Sequence, residues 1–259
     1  MELLTVAHAG AAPWGTPLLA DIHFSLHAGD TLAILGPNGA GKSTLLHTLA
    51  GGIDLSQGTI ALGGRSLSQW PRLQRARALA LLPQQSPLSF PFSVEEVIQL
   101  GRTPHASGAS EDRQILEDVM AATDTARLRQ RLYTRLSGGE RQRVQLARVL
   151  AQLWRAADSE VRLLLLDEPT GGLDLEHQRL IMDSVDRLAR GGCAVVMVLH
   201  DFNLAANRAS RLLVLDEGRQ ARLGTPAEVL TKTMFHDIFR VQVEITSHPQ
   251  NGTPLVLPS

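Results

Sequence analysis

The sequence predicts an α/β fold built on a mostly parallel sheet, and three observations carry that expectation. Apolar runs at 161–166, where Arg162 is the one charged residue, 194–199 and 212–215 have the character of parallel strands buried on both faces. Helix-compatible segments at 175–189 and 203–209 separate them, as alternating parallel strands require. A glycine-rich loop at 36–44 stands between a strand-like run and a helix-like one.

Taken in chain order, the N-terminal region alternates short apolar runs with turn residues, as in Leu32-Ala33-Ile34-Leu35 before the loop and 58–64 after it, and reads as strands. Residues 43–49 suit a helix that ends at Gly51-Gly52. From 94 to 150 the spacing becomes helical, through Val94, Val97 and Ile98, then Ile115, Leu116, Val119 and Met120, then Val144, Leu146, Ala147 and Leu150. This segment reads as a mainly helical insertion between two halves of an α/β core. The expected organisation is one domain over 1–259. Segments 1–86 and 151–240 form the α/β core with its β subdomain, 87–150 the helical subdomain, and 241–259 a tail, Pro-containing from His248 onward.

A chain of 259 residues that is 44% hydrophobic can bury one core, or a core with a satellite, without disulfides. Its one cysteine, Cys193, lies in an apolar run and suits a reducing compartment. No run approaches the roughly 20 apolar residues of a membrane span. Met1-Glu2-Leu3-Leu4-Thr5 lacks the basic start of a signal peptide, so work at a membrane needs a span from another chain. A net charge of −1 gives no general attraction to nucleic acid or acidic lipid. The arginine clusters at 72–77 and 127–135 read as solvated helix faces.

Gly36-Pro37-Asn38-Gly39-Ala40-Gly41-Lys42-Ser43-Thr44 matches the phosphate-binding pattern G-x-x-x-x-G-K-[ST]. Its glycines let backbone N–H groups curl around phosphates at a helix start; Lys42 reaches the β- and γ-phosphates and the Ser43 hydroxyl ligates Mg²⁺. The strand-like 163–166 ends in Asp167-Glu168. That pair serves either as a helix cap or, beside a phosphate loop, as a Mg²⁺ site through Asp167 and a water-orienting base through Glu168. Leu136-Ser137-Gly138-Gly139-Glu140 precedes a helix near Arg141 and reads as a Ser-capped start or as a second anion site. His200 closes the strand-like 194–199, where an imidazole is either structural or touches a γ-phosphate.

On these motifs the chain resembles the ABC-transporter ATPases over nearly its whole length. The resemblance implies an ABC cassette with a RecA-like core, an N-terminal antiparallel β subdomain and a helical subdomain. Residues 136–140 are similar to that family's signature, and the order phosphate loop, Gln84, signature, Asp167-Glu168-Pro169-Thr170, Gly171-Gly172-Leu173-Asp174, His200 is the family's order. The resemblance implies two cassettes paired head to tail, with Ser137, Gly138, Gly139 and Glu140 of each contacting the ATP held by the other. It implies Gln84, rather than Gln85, as the glutamine that reaches Mg²⁺ and a membrane subunit, and Asp174 as a coupler of the two sites. Trp14 is the candidate to stack on adenine, a plain surface or core tryptophan being the other reading. Gly171-Gly172 departs from the commoner small residues and loosens that loop.

Val94-x-x-Val97-x-x-x-Gly101-Arg102-x-Pro104-His105 is similar to a segment of importers for iron chelates, haem and cobalamin. Phe90-Pro91-Phe92, Tyr133-Thr134-Arg135 and 200–206 are similar to the haem-import ATPases in particular. The resemblance implies two transmembrane permease subunits, a periplasmic binding protein, and a place on the cytoplasmic face of a bacterial inner membrane. A soluble ATPase acting on DNA or ribosomes fits poorly, since the chain has no long heptad arm and no basic excess. An exporter subunit differs in direction only. Haem ligation by the nine histidines is not expected, because they are scattered.

Overall fold

The computed structural model describes residues 2–84 and 88–258. Its strands are β1 (Glu2–Ala11), β2 (Leu19–His27), β3 (Thr31–Leu35), β4 (Gln57–Leu62), β5 (Arg65–Ser66), β6 (Leu79–Leu82), β7 (Leu163–Asp167), β8 (Ala194–Val198), β9 (Arg211–Asp216) and β10 (Arg219–Gly224), with a separate pair β11 (Val243–Ser247) and β12 (Pro254–Pro258). The main helices are α1 (Lys42–Leu49), α2 (Arg72–Ala78), α3 (Val94–Gln99), α4 (Ala109–Ala122), α5 (Gly138–Leu153), α6 (Leu175–Arg190) and α7 (Phe202–Arg208). The first ten strands form one sheet in the order β5-β4-β1-β2-β10-β9-β3-β8-β7-β6.

Strands β9, β3, β8, β7 and β6 run parallel, as their apolar runs predict. Alternation along each divides its side chains between two cores. Leu32 and Ile34, Leu163 and Leu165, and Val196 and Val198 pack under β1, β2 and α1. Ala33 and Leu35, Leu164 and Leu166, and Val195 and Met197 pack against α3 to α7. Strands β1, β2 and β4 are antiparallel and extend the sheet on one side. Helices α3 to α5 lie between β6 and β7 in the chain.

The structure shifts some edges. The expected strand at 161–166 starts at Leu163; Arg162, the charged residue in that run, is buried and turns its guanidinium onto the carbonyls of Leu153 and Gly191. The C-terminal segment 241–259 carries structure of its own. Residues 243–247 and 254–258 form an antiparallel hairpin, with Val243 and Val256 buried against the core. It is fastened to α7, where the Asn203 amide donates to the Val256 carbonyl (3.1 Å) and accepts from the Val256 N–H (2.8 Å).

The segment similar to importers does structural work. Val94, Val97 and Ile98 are buried in α3, and a side chain at Gly101 would collide with the Arg148 carbonyl of α5. Arg102, its side chain 2% exposed, donates to Asp112 and Asp158 (2.8 Å each), to the Ala151 carbonyl (2.9 Å) and to the Ser107 hydroxyl (2.9 Å). His105 Nε2 meets the Gln152 carbonyl at 2.9 Å, and burial pushes its pKa down.

Candidate active site

The site is built at the C-terminal ends of the parallel strands, where an open α/β sheet presents its ligand crevice. Strand β3 feeds the phosphate loop, and Gly36 brings the backbone so close to the Leu215 carbonyl that a Cβ there would clash. Gly41 holds φ at 94° directly before α1, a left-handed value that favours glycine. Lys42 is buried, and its Nζ donates to the carbonyls of Gly36 and Pro37 at 2.8 Å each, so the ammonium is folded back across the loop. Burial lowers its pKa, opposed by the nearby charges of Glu168 and Asp167.

Strand β7 delivers the two carboxylates to different environments. Asp167 is 2% exposed and its Oδ1 has no protein hydrogen-bond partner. Burial raises its pKa, and a hydrogen bond from the Ser43 side chain works in the opposite direction. A buried orphaned carboxylate oxygen beside a serine hydroxyl is the donor set a hard cation such as Mg²⁺ takes, so these residues fit the ion. Glu168 adopts φ 50°, unusual for a residue other than glycine. Its N–H donates to the Val198 carbonyl (3.2 Å), and its own carbonyl accepts from Gly171 N–H (3.1 Å) and the Gln142 amide (3.3 Å). These bonds aim the carboxylate at His200, whose Nε2 lies 2.6 Å from Glu168 Oε1.

Lys42, Ser43, Gln84, Glu168 and His200 line one open cavity of about 360 Å³, together with Asn38, Gly39, Gly41 and Thr44. Gln85 lies outside the described residues. Ala40 is buried in the loop's turn, its N–H bonded to the Pro37 carbonyl. Trp14 sits on a turn between β1 and β2 with φ 66° and is 90% exposed; Leu18, four residues on, is the wall residue from that turn.

The residues similar to the signature do not line this cavity. Ser137 caps α5 in a capping box: its hydroxyl accepts from Glu140 N–H (3.3 Å) and Glu140 Oε2 accepts from Ser137 N–H (2.8 Å). The other Glu140 oxygen pairs with Arg131 at 2.7 Å, so this carboxylate is engaged within its own chain. Gly138 faces open space, whereas a Cβ on Gly139 would meet Leu173. Gly172 holds φ 70° in the loop between β7 and α6. Asp174 caps α6, its Oδ1 accepting from His177 N–H (2.9 Å).

Two residues the motifs did not single out belong to this neighbourhood. Leu18 carries no pattern that marks it. Gln142 donates to the carbonyls of Glu168 and Pro169, tying the start of α5 to the loop after β7, and amide-to-carbonyl contacts leave no trace in spacing.

Residues 19–171 match the family model described as ABC transporter. The hemin import ATP-binding protein HmuV of Pseudomonas entomophila is 50% identical over 240 residues, covering 93% of each chain. The protein of the same name from Gloeobacter violaceus is 48% identical over 258 residues, 99% of this chain and 94% of that one. Among solved structures, an inward-facing transporter described as of metal-chelate ABC type aligns with TM-score 0.81 at 28% identity, over 100% of this chain and 98% of that one.

Proposed function

The chain belongs to the ABC transporter family, whose cassettes bind and hydrolyse ATP, and on that premise we propose that it is the ATP-hydrolysing subunit of a haem importer. It acts as a head-to-tail pair with a second copy, on the cytoplasmic face of a bacterial inner membrane. There it is peripheral to two transmembrane permease subunits fed by a periplasmic binding protein. Among the described residues no helix is long and apolar enough to cross a membrane, in keeping with permeases that supply the span.

The observation that carries hydrolysis is the Glu168–His200 contact in the wall of the phosphate-loop cavity, with the orphaned oxygen of Asp167 one residue earlier in the chain. Lys42 exchanges its bonds to the Gly36 and Pro37 carbonyls for phosphate oxygens, and loop N–H groups between Asn38 and Thr44, other than that of Ala40, which bonds the Pro37 carbonyl, cradle the rest of the anion. Ser43, Asp167 and Gln84 hold Mg²⁺, which when bound neutralises charge on the β- and γ-phosphates. Glu168 orients the attacking water and takes up its proton. His200 holds the Glu168 carboxylate in position and registers the γ-phosphate. Trp14 offers a free aromatic face for adenine. Ser137, Gly138 and Gly139 meet the partner's ATP through the start of α5, and Asp174 couples the two sites.

Haem rests on the near full-length identity to proteins named for hemin import. The experiment is reconstitution of the chain with its permeases and measurement of ATP hydrolysis. Haem-loaded binding protein stimulates turnover, and Glu168→Gln lowers it on the order of 10²-fold while ATP still binds. Stimulation only by a ferric siderophore or a cobalamin would overturn the haem assignment, and wild-type turnover in the variant would overturn the role of Glu168.

A further inference from the structure

On the antiparallel side of the sheet, outside the lining of the phosphate-loop cavity, His8 of β1 and Asp21 and His23 of β2 present one ligand atom each, all within 4.8 Å of one another. His8 Nδ1 lies 2.6 Å from Asp21 Oδ1, and the two imidazole rings stand 5.8 Å apart. None of the three lies in the wall of the phosphate-loop cavity.

Two local distortions of the strand pair create this cluster. Regular alternation would put His8 on the same face as Leu4 and Val6, which are buried. The pairing passes from Val6↔Phe24 to Ala9↔Ile22 and then to Ala11↔Leu19, so β1 carries one extra residue near His8 and β2 one near Asp21. Both residues sit at left-handed φ, 48° for His8 and 58° for Asp21. The first bulge swings His8 out to the face that carries Asp21 and His23. It is wedged in place from the other side, because β4 passes so close that a Cβ on Gly58 would strike the His8 carbonyl. On β2, the His23 N–H donates to Gln220 Oε1 of β10 at 3.0 Å, bracing the second histidine. The contact with His8 holds the Asp21 carboxyl below its ordinary range.

The geometry points to a divalent transition-metal site formed by His8, Asp21 and His23, with solvent completing the shell. Two imidazoles and a carboxylate suit borderline ions of the Zn²⁺, Ni²⁺ and Cu²⁺ group rather than Mg²⁺ or Ca²⁺. The bound ion ties β1 to β2, the strands joined by the turn that carries Trp14.

The test is titration of the untagged, nucleotide-free chain with ZnCl₂ by calorimetry, alongside Cu²⁺ paramagnetic resonance for nitrogen ligands. Wild type takes up one equivalent. His8→Asn and Asp21→Asn, which keep a residue tolerant of left-handed φ, each weaken binding about tenfold or more, with thermal unfolding of the metal-free chains checking that the fold is intact. His236→Asn, a change at an exposed histidine elsewhere, leaves the titration as in wild type. No uptake by wild type up to about 1 mM, an unchanged titration in either cluster variant, or an equal loss in His236→Asn would overturn the site.

Discussion

Asp167 shows at the scale of one residue how catalysis and stability compete. Its carboxyl is buried at the end of β7 with one oxygen unpaired, and burial raises its pKa above the ordinary 3.8. An acid whose pKa is higher folded than unfolded holds its proton more tightly in the fold. Its contribution is therefore most favourable below about pH 3.8 and declines as pH rises through the folded value, so at neutral pH the ionised group costs stability. Asp167→Asn removes that cost and leaves the shape alone. The nucleotide-free variant melts higher than wild type at pH 7, by roughly 2–4 °C for each kcal/mol recovered, and the gap closes toward pH 4. The same variant loses Mg²⁺-dependent ATP hydrolysis. A melting point at or below wild type at pH 7 would show that the orphaned oxygen is not a burden to the fold.

Elements hold the site through bonds that reach across the chain. Arg102 ties the turn after α3 to the end of α5 and to Asp112 in α4, with its side chain 2% exposed. Removing one member of such a buried set leaves the others uncompensated. Arg102→Ala therefore costs about 3–5 kcal/mol in urea unfolding. Arg102→Lys recovers only part, because an ammonium cannot serve four acceptors in a fork. A loss under about 1 kcal/mol in the alanine variant would mean that solvent replaces the network. Gly101-Arg102 stood out as a family-like segment, but that Gly101 fits under the Arg148 carbonyl and Arg102 pins three helices is information about packing. The parallel strands were legible because burial on both faces requires unbroken apolar runs, as in Leu163-Leu164-Leu165-Leu166. The hairpin β11–β12 was not, since its two five-residue strands are half exposed and owe their place to Asn203, a residue 53 positions before its partner Val256 that carries no strand signal. The phosphate loop, Glu168 and His200, expected together from their order in the chain, do line one cavity. Gln142 and Leu18 answer to no such pattern.

At the scale of the whole molecule, the two regions proposed above to meet ATP lie apart within one chain. The phosphate loop, Glu168 and His200 share a cavity, while Gly138 at the start of α5 is outside it and faces open space. A Cβ at Gly138 meets nothing within 4 Å, so Gly138→Asp leaves the fold intact and acts only on whatever docks there. Lys42→Ala, in contrast, disables the loop itself. If two copies pair head to tail, each variant alone is nearly inactive, but an equal mixture is not. Half of the dimers are then mixed, and each mixed dimer joins the sound loop of the Gly138→Asp chain to the sound Gly138 of the Lys42→Ala chain. Turnover in the mixture, measured with the permeases present, recovers to about a quarter of wild type if the two sites work independently, and to less if they are obligately coupled. Full activity of Gly138→Asp alone would mean that one chain completes its own site, and the paired arrangement would have to be abandoned.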